Sequence, residues 1–159
     1  MNKRLLFGLG IVLVVALGGV AVWWLGAWPG QQAGTSVPVE LRGAKNLGSL
    51  QLELAYDPAV LEATDVKAGD LAKNGMVEYN LTAAGRLAVG VIHASGMNGD
   101  GPVVSVSFKV LKEGETSPLT LNSVQAHDAN TLLDIPLRAS AGGFSRDGLF
   151  TGPVISLTP

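Results

Sequence analysis

Among the residue types that carry nucleophilic or metal chemistry, the chain offers two histidines, His93 and His127, and no cysteine. A histidine does catalytic work only when a nucleophile, a carboxylate or a metal stands within hydrogen-bond reach of it. Asp128 follows His127 directly, but adjacent side chains of a strand leave it on opposite faces. Ser95 and Ser145 lack the G-x-S-x-G setting that exposes a nucleophile on a sharp turn. Asn98 and Asp100 sit among glycines, yet the D-x-[DN]-x-[DN]-G pattern with a distal Glu that encloses calcium is missing. These residues predict no enzyme and no metal or cofactor held by this chain.

Binding is the remaining class, and composition narrows it. Sugar-binding sandwiches stack sugars on exposed rings, but Trp23, Trp24 and Trp28 all lie in one N-terminal apolar run. Tyr56, Tyr79 and Phe108 share the apolar phase of their strands, so they are expected on the core side, and a planar sugar platform is disfavoured. Lys3 and Arg4 precede the apolar run, and without them 9 basic residues face 13 acidic ones. That acidic balance argues against nucleic acid or an anionic lipid surface, both of which require clustered Lys and Arg.

The apolar run itself, Leu5 to Trp28, contains no charge over 24 residues. As a helix it would extend ~36 Å, more than the ~30 Å hydrocarbon core of a bilayer. Lys3 and Arg4 before it and the tryptophans at its far end fit a signal anchor with a cytoplasmic N-terminus. The sequence therefore predicts a cytoplasmic stretch 1–4, a transmembrane helix 5–28, a tether 29–35 and an extracytoplasmic remainder. The alternative is a signal peptide cleaved near Ala27 or Ala33, which would leave the domain secreted. Without cysteine there is neither a lipid-anchor thiol nor a disulfide framework.

Beyond the tether the pattern is that of short strands. Val37, Val39 and Leu41 alternate with Pro38, Glu40 and Arg42, and Leu50, Leu52, Leu54 and Tyr56 with Gln51, Glu53 and Ala55. Asp57-Pro58 ends the second run, because proline supplies no N–H to a ladder and presets a turn. Residues 63–75 read as loop or a turn of helix. Met76–Thr82 and Arg86–Ala94 read as a hairpin about Ala83-Ala84-Gly85. Val104, Val106, Phe108 and Val110 alternate cleanly, Leu119 and Leu121 open a further strand, and 131–139 reads as another. About nine short strands with Gly, Pro and Asn turns predict an all-β sandwich over 36–145. The stretch 146–159 is expected to be either a tail or an added edge strand.

One strand breaks the rule that an antiparallel sheet alternates apolar and polar when one of its faces is wet. In Arg86–Ala94, Leu87, Val89, Val91 and His93 occupy one face and Ala88, Gly90, Ile92 and Ala94 the other, so neither looks solvated. Such a strand is either covered by another part of the chain or kept bare for a partner.

Three stretches, taken in order, resemble a known family. L-x-L-x-L-x-Y-D-P-x-V-L-E over 50–62, N-G-D-G-P-V-V-S-V-S-F-K-V over 98–110, and a final strand entering Ala141-Gly142-Gly143-Phe144 are similar to cohesin domains, which bind dockerins in cellulosomes and related assemblies. The resemblance implies a nine-stranded jelly-roll sandwich and a dockerin-like protein partner that carries its own calcium. It also implies a binding sheet face, mapped here onto Ser49, Gln51 and Glu53, then Val89, Val91 and His93, then Leu132 and Asp134. Many family members have Asn and Asp where this chain has Ser49 and Gln51. At His93 an imidazole, which titrates between about pH 5 and 8, would make docking pH-dependent. The expected function is a membrane-anchored docking module, the alternative a structural subunit of a surface or secretion apparatus.

Overall fold

The computed structural model describes residues 13–16, 19–22 and 34–158. In the first of two units, Leu13–Ala16 (β1) and Gly19–Val22 (β2) pair antiparallel, Leu13 opposite Val22. These residues fall inside the run expected as one helix over 5–28, and in the structure they are strand. Val14, Val15, Val20 and Val22 are β-branched and suit a pleated ribbon. The rest of 5–28, and the tether as far as residue 33, lie outside the described residues. Among the described residues no helix is long and apolar enough to cross a membrane.

The second unit is built on two long, kinked strands. Thr35–Ala55 (β3) joins the two alternating runs that the sequence separates at Gly43. The kink comes from Gly43 at φ 70° and Asn46 at φ 51°, left-handed backbone that glycine and asparagine tolerate best. Arg86–Val110 (β6) is kinked likewise at Gly96, Gly99 and Gly101, all with positive φ. A Cβ on Gly96 would lie 2.4 Å from the Asn46 side chain, so the two kinks touch and admit no side chain there. Side chains then lock them together. Asp100 Oδ1 accepts the Gly43 N–H at 2.7 Å, and Asn98 Oδ1 accepts the Asn46 N–H at 2.8 Å.

Each kinked strand contributes to both layers of a sandwich. In one layer, the first half of β3 pairs the second half of β6, Val37 opposite Val106. Leu61–Ala68 (β4) extends that layer beside β6, and Val154–Leu157 (β11) runs parallel to β3 on its other side, followed by Leu137–Ser140 (β8). In the other layer, the second half of β3 lies between the first half of β6 and Ser117–Asp128 (β7), with Met76–Ala83 (β5) outside β6. Gly142–Phe144 (β9) pairs the start of β7, and Phe150–Thr151 (β10) pairs β9.

The core lies between the layers. Leu50, Leu52 and Leu54 from β3, Leu87, Val89 and Val91 from β6, and Val104, Val106 and Phe108 further along β6 are all buried. Phe108 meets Tyr56 edge-on at 5.3 Å between ring centroids and stacks near Phe150 at 5.9 Å, an aromatic cluster that also includes Phe144. The Asp57-Pro58 turn is tied by the Asp57 carboxylate accepting the Ala59 N–H at 2.8 Å and by buried Ser117 Oγ accepting the Asp57 N–H at 2.9 Å.

The fold departs from the sequence reading in several places. Residues 61–68 are a strand, where loop was expected from 63 onward; a register shift between Ala63 and Asp65 changes which residues face inward and hides the alternation. Residues 131–136 are not strand. The Asp128 carboxylate takes the N–H groups of Asn130 and Thr131 at 2.9 and 2.8 Å, turning the chain, and Leu132 adopts φ 59°. Tyr79, expected inside, is 42% exposed on edge strand β5, its hydroxyl donating to Asp65 at 3.0 Å. The stretch 146–159 ends as β11, an interior strand between β3 and β8 with Ile155 fully buried, rather than a tail or an edge.

Candidate functional site

Because Leu50, Leu52 and Leu54 point into the core, Ser49, Gln51 and Glu53 point out of the second layer. Residues directly opposite in antiparallel ladders share a face, so the pairings lay out a grid of three rows. Met76, Ile92, Ser49 and His127 form the first, Glu78, Gly90, Gln51 and Gln125 the second, and Asn80, Ala88, Glu53 and Ser123 the third. The surface dips over its middle into a shallow depression of about 850 Å³, with Gly90 and Gln51 among its lining. Gly90 causes the dip: a Cβ placed there would meet nothing within 4 Å.

This geometry corrects half of the expected site. Val89 and Val91, expected outward, are 3% and 1% exposed and belong to the core, so they cannot form the apolar centre of a docking face. Both faces of 86–94 are apolar in sequence, and a period of two cannot then choose between them. The register assigns the outer positions to Ala88, Gly90 and Ile92, the last 60% exposed. His93 shares the inward phase of Val91; it is half-buried, its Nδ1 enclosed and without a hydrogen-bond partner. Leu132 is 75% exposed, but in the loop after β7 rather than on a strand. Asp134 is brought to the face by a single bridge to His127.

The sequence reading has strands at β5 and β7 but leaves their outward residues out of the site. Met76, Glu78 and Asn80 on β5 and His127, Gln125 and Ser123 on β7 complete the rows. For β5, a register shift between Asn80 and Ala83 offsets by one any count outward from the turn at Gly85, so counting alone pairs Asn80 with Val89 and gives the wrong face. The β7 residues pair with β3 across some seventy-odd residues of chain, and no local pattern signals them.

The electrostatics of the face are mild. Glu53 lies 3.6 Å from Arg86 and accepts a long 3.5 Å hydrogen bond from Asn122, an exposed arrangement worth at most about 1 kcal/mol. Near the first row, Ser49 Oγ lies 3.1 Å from His127 Nδ1, and Asp134 Oδ1 lies 3.0 Å from His127 Nε2. The residue types are those of a hydrolase triad, but the two ring nitrogens have exchanged roles and Asp134 is 91% exposed. Behind them, hydrogen bonds from the Thr131 and Asn130 amides, then from Asn46, lower the Asp128 carboxyl to about 2. On the β5 edge, the hydrogen bond to Asp65 and its negative charge raise the Tyr79 hydroxyl above its ordinary value. Among the described residues no group of three or more His, Cys, Asp or Glu is placed to hold a metal ion.

Comparison with known proteins gives the chain its family. A family model described as "Cohesin domain" matches residues 28–145. A non-cellulosomal cohesin from the hyperthermophilic archaeon Archaeoglobus fulgidus is 27% identical, with a TM-score of 0.54 over 79% of this chain and 81% of that one. The sixth cohesin of scaffoldin B from Acetivibrio cellulolyticus, 18% identical, shares the fold with a TM-score of 0.55 over 78% of this chain and 89% of its own. Cellulose-binding protein A of Clostridium cellulovorans is 25% identical over 116 residues, which is 67% of this chain but only 6% of that much longer protein. On the strength of the family match over most of its length, this chain belongs to the cohesin domain family.

Proposed function

We propose that this domain is a non-covalent docking module that binds a dockerin-type protein through the outer face of β5, β6, β3 and β7. The observation that carries the reading is the three-row grid of small and polar side chains around bare Gly90, apolar at one end through Met76 and Ile92. A dip with an apolar anchor end and a polar remainder is the anatomy of a protein–protein contact. The scaffoldin B cohesin, which shares the fold, is known in complex with a Cel5 dockerin. On this reading the site comprises Ser49, Gln51, Glu53, Gly90, Ile92 and Met76, with Asp134 and Leu132 at its margin. Calcium belongs to the partner, and the chain contributes no metal or cofactor of its own.

Export is part of the proposal. It is supported by the uncharged run 5–28 behind Lys3 and Arg4, which would carry the domain to the outside of the cell as an anchored or cleaved form. The test is calorimetric titration of the full chain with calcium-loaded dockerins, repeated in chelator, beside fractionation of the source cells. Saturable binding that disappears on chelation supports docking. Binding only to other surface or secretion components, indifferent to chelator, would make the domain an assembly subunit instead.

A further inference from the structure

Ser49, His127 and Asp134 form one continuous hydrogen-bonded chain along the margin of the face, with contacts of 3.1 Å at Nδ1 and 3.0 Å at Nε2. A neutral imidazole has one N–H and one lone pair, and a carboxylate only accepts. The ring proton must therefore sit on Nε2, aimed at Asp134. Nδ1 is left as an acceptor, and the group beside it is the Ser49 hydroxyl, which must turn its proton inward to meet it. Ser49 then shows only oxygen lone pairs to whatever lies on the face.

Resting on the docking reading above, we propose that this relay makes Ser49 a specificity-determining acceptor that selects a partner with a hydrogen-bond donor opposite it, and that a proton taken up by His127 reverses that preference. Once Nδ1 carries a proton it donates to Ser49 Oγ, and the hydroxyl proton swings out toward the partner. One added proton thus turns an acceptor site into a donor site with no movement of the backbone.

The surroundings leave His127 as the group that changes. Asp134 faces Nε2, and Asp128 on the same strand is held ionised by its amide hydrogen bonds at about 2. β3 faces His127 with uncharged Ser49, and its Glu53 lies two rows away beside Arg86. β6 adds Ile92 to the row, and Arg138 on β8 is exposed to solvent. His93, on the inward phase of β6, lies off this face.

Two measurements test the proposal. The chain has only two histidines, so 15N-histidine labelling of the full chain reports both rings, with a His93→Gln variant assigning them. At about pH 8 the His127 Nδ1 signal should be of the lone-pair type and Nε2 of the N–H type, and Asp134→Ala should let the two forms mix. A wild-type ring protonated on Nδ1 at that pH overturns the relay. The second measurement titrates a calcium-loaded dockerin at about pH 8 and about pH 5, where the affinity for wild type should differ by roughly tenfold. Ser49→Ala and His127→Gln should each bind equally at both pH values, which also controls for titration of the dockerin itself. A pH effect that survives Ser49→Ala overturns the reversal. If no dockerin binds at either pH, the docking reading fails, while the labelling result still decides the polarity of Ser49.

Discussion

Gln51 on β3 and Gly90 on β6 are direct partners in the ladder, so Gln51 borders the one position in the face that has no side chain. With no atom within 4 Å of a Cβ at Gly90, larger residues fit the fold but obstruct the surface. Gly90→Arg is expected to leave the thermal midpoint within a few degrees of wild type. It should weaken dockerin binding by about 100-fold or more through steric exclusion. The neighbouring change Val91→Asp should do the opposite kind of damage. It places a charge in the core and costs about 3–5 kcal/mol of stability. Calorimetric unfolding beside binding isotherms separates the two, and equal stability of both variants would overturn the assignment of faces.

Leu132 occupies left-handed backbone at φ 59° while three-quarters of its surface is exposed. The backbone strain is about 1–2 kcal/mol for a residue with a Cβ, and little hydrophobic gain offsets it at that exposure. Leu132→Asn should therefore stabilise the domain by about 1 kcal/mol, read from urea unfolding. Lower stability would mean that the leucine has packing partners in solution.

Among the described residues Ser117 is the one buried polar residue of the core, and its Oγ accepts the N–H of Asp57 at the turn that ends β3. Ser117→Ala takes the partner from that partly buried amide, a loss of about 1 kcal/mol. Hydrogen exchange should localise the effect to the 56–61 turn, and uniform exchange across the domain would contradict it.

The Asp128 carboxyl, lowered from an ordinary 3.8 to about 2, ties the 129–135 loop to β3 through Asn46. A folded value below the unfolded one gives stability that is complete above about pH 4 and is lost as pH falls toward about 2. The difference in thermal midpoint between wild type and Asp128→Ala should be constant from about pH 5 to about pH 8 and shrink below about pH 4. A difference that changed near neutrality would point to His127 instead.

What could be read without coordinates follows from how local each signal is. Leu50, Leu52 and Leu54 against Gln51 and Glu53 place one strand and its outward residues, because a polar face and an apolar face differ in kind. Leu87–Ala94 carries no such contrast, so its phase becomes legible only from the ladder with β3. The bulge near Thr64 and the Asp128 turn each interrupt a simple period and cost the reading a strand in one place and add one in another. The Ser49–His127–Asp134 chain joins residues whose contact exists only because β3 and β7 are neighbours, and nothing in their sequence spacing announces it.

The seating of β11 also governs how the domain can come into being. Val154, Ile155 and Ser156 lie parallel to Glu40, Leu41 and Arg42, and the same strand carries β8 on its far side. Strands from opposite ends of a domain meet late, since the loop they close is the longest the fold contains. A chain emerging N-terminus first therefore holds an incomplete layer, with β3 unpaired on one side, until Leu157 is clear. Removal of 153–157 should leave that open flank permanently, a bare β edge prone to pairing with other copies.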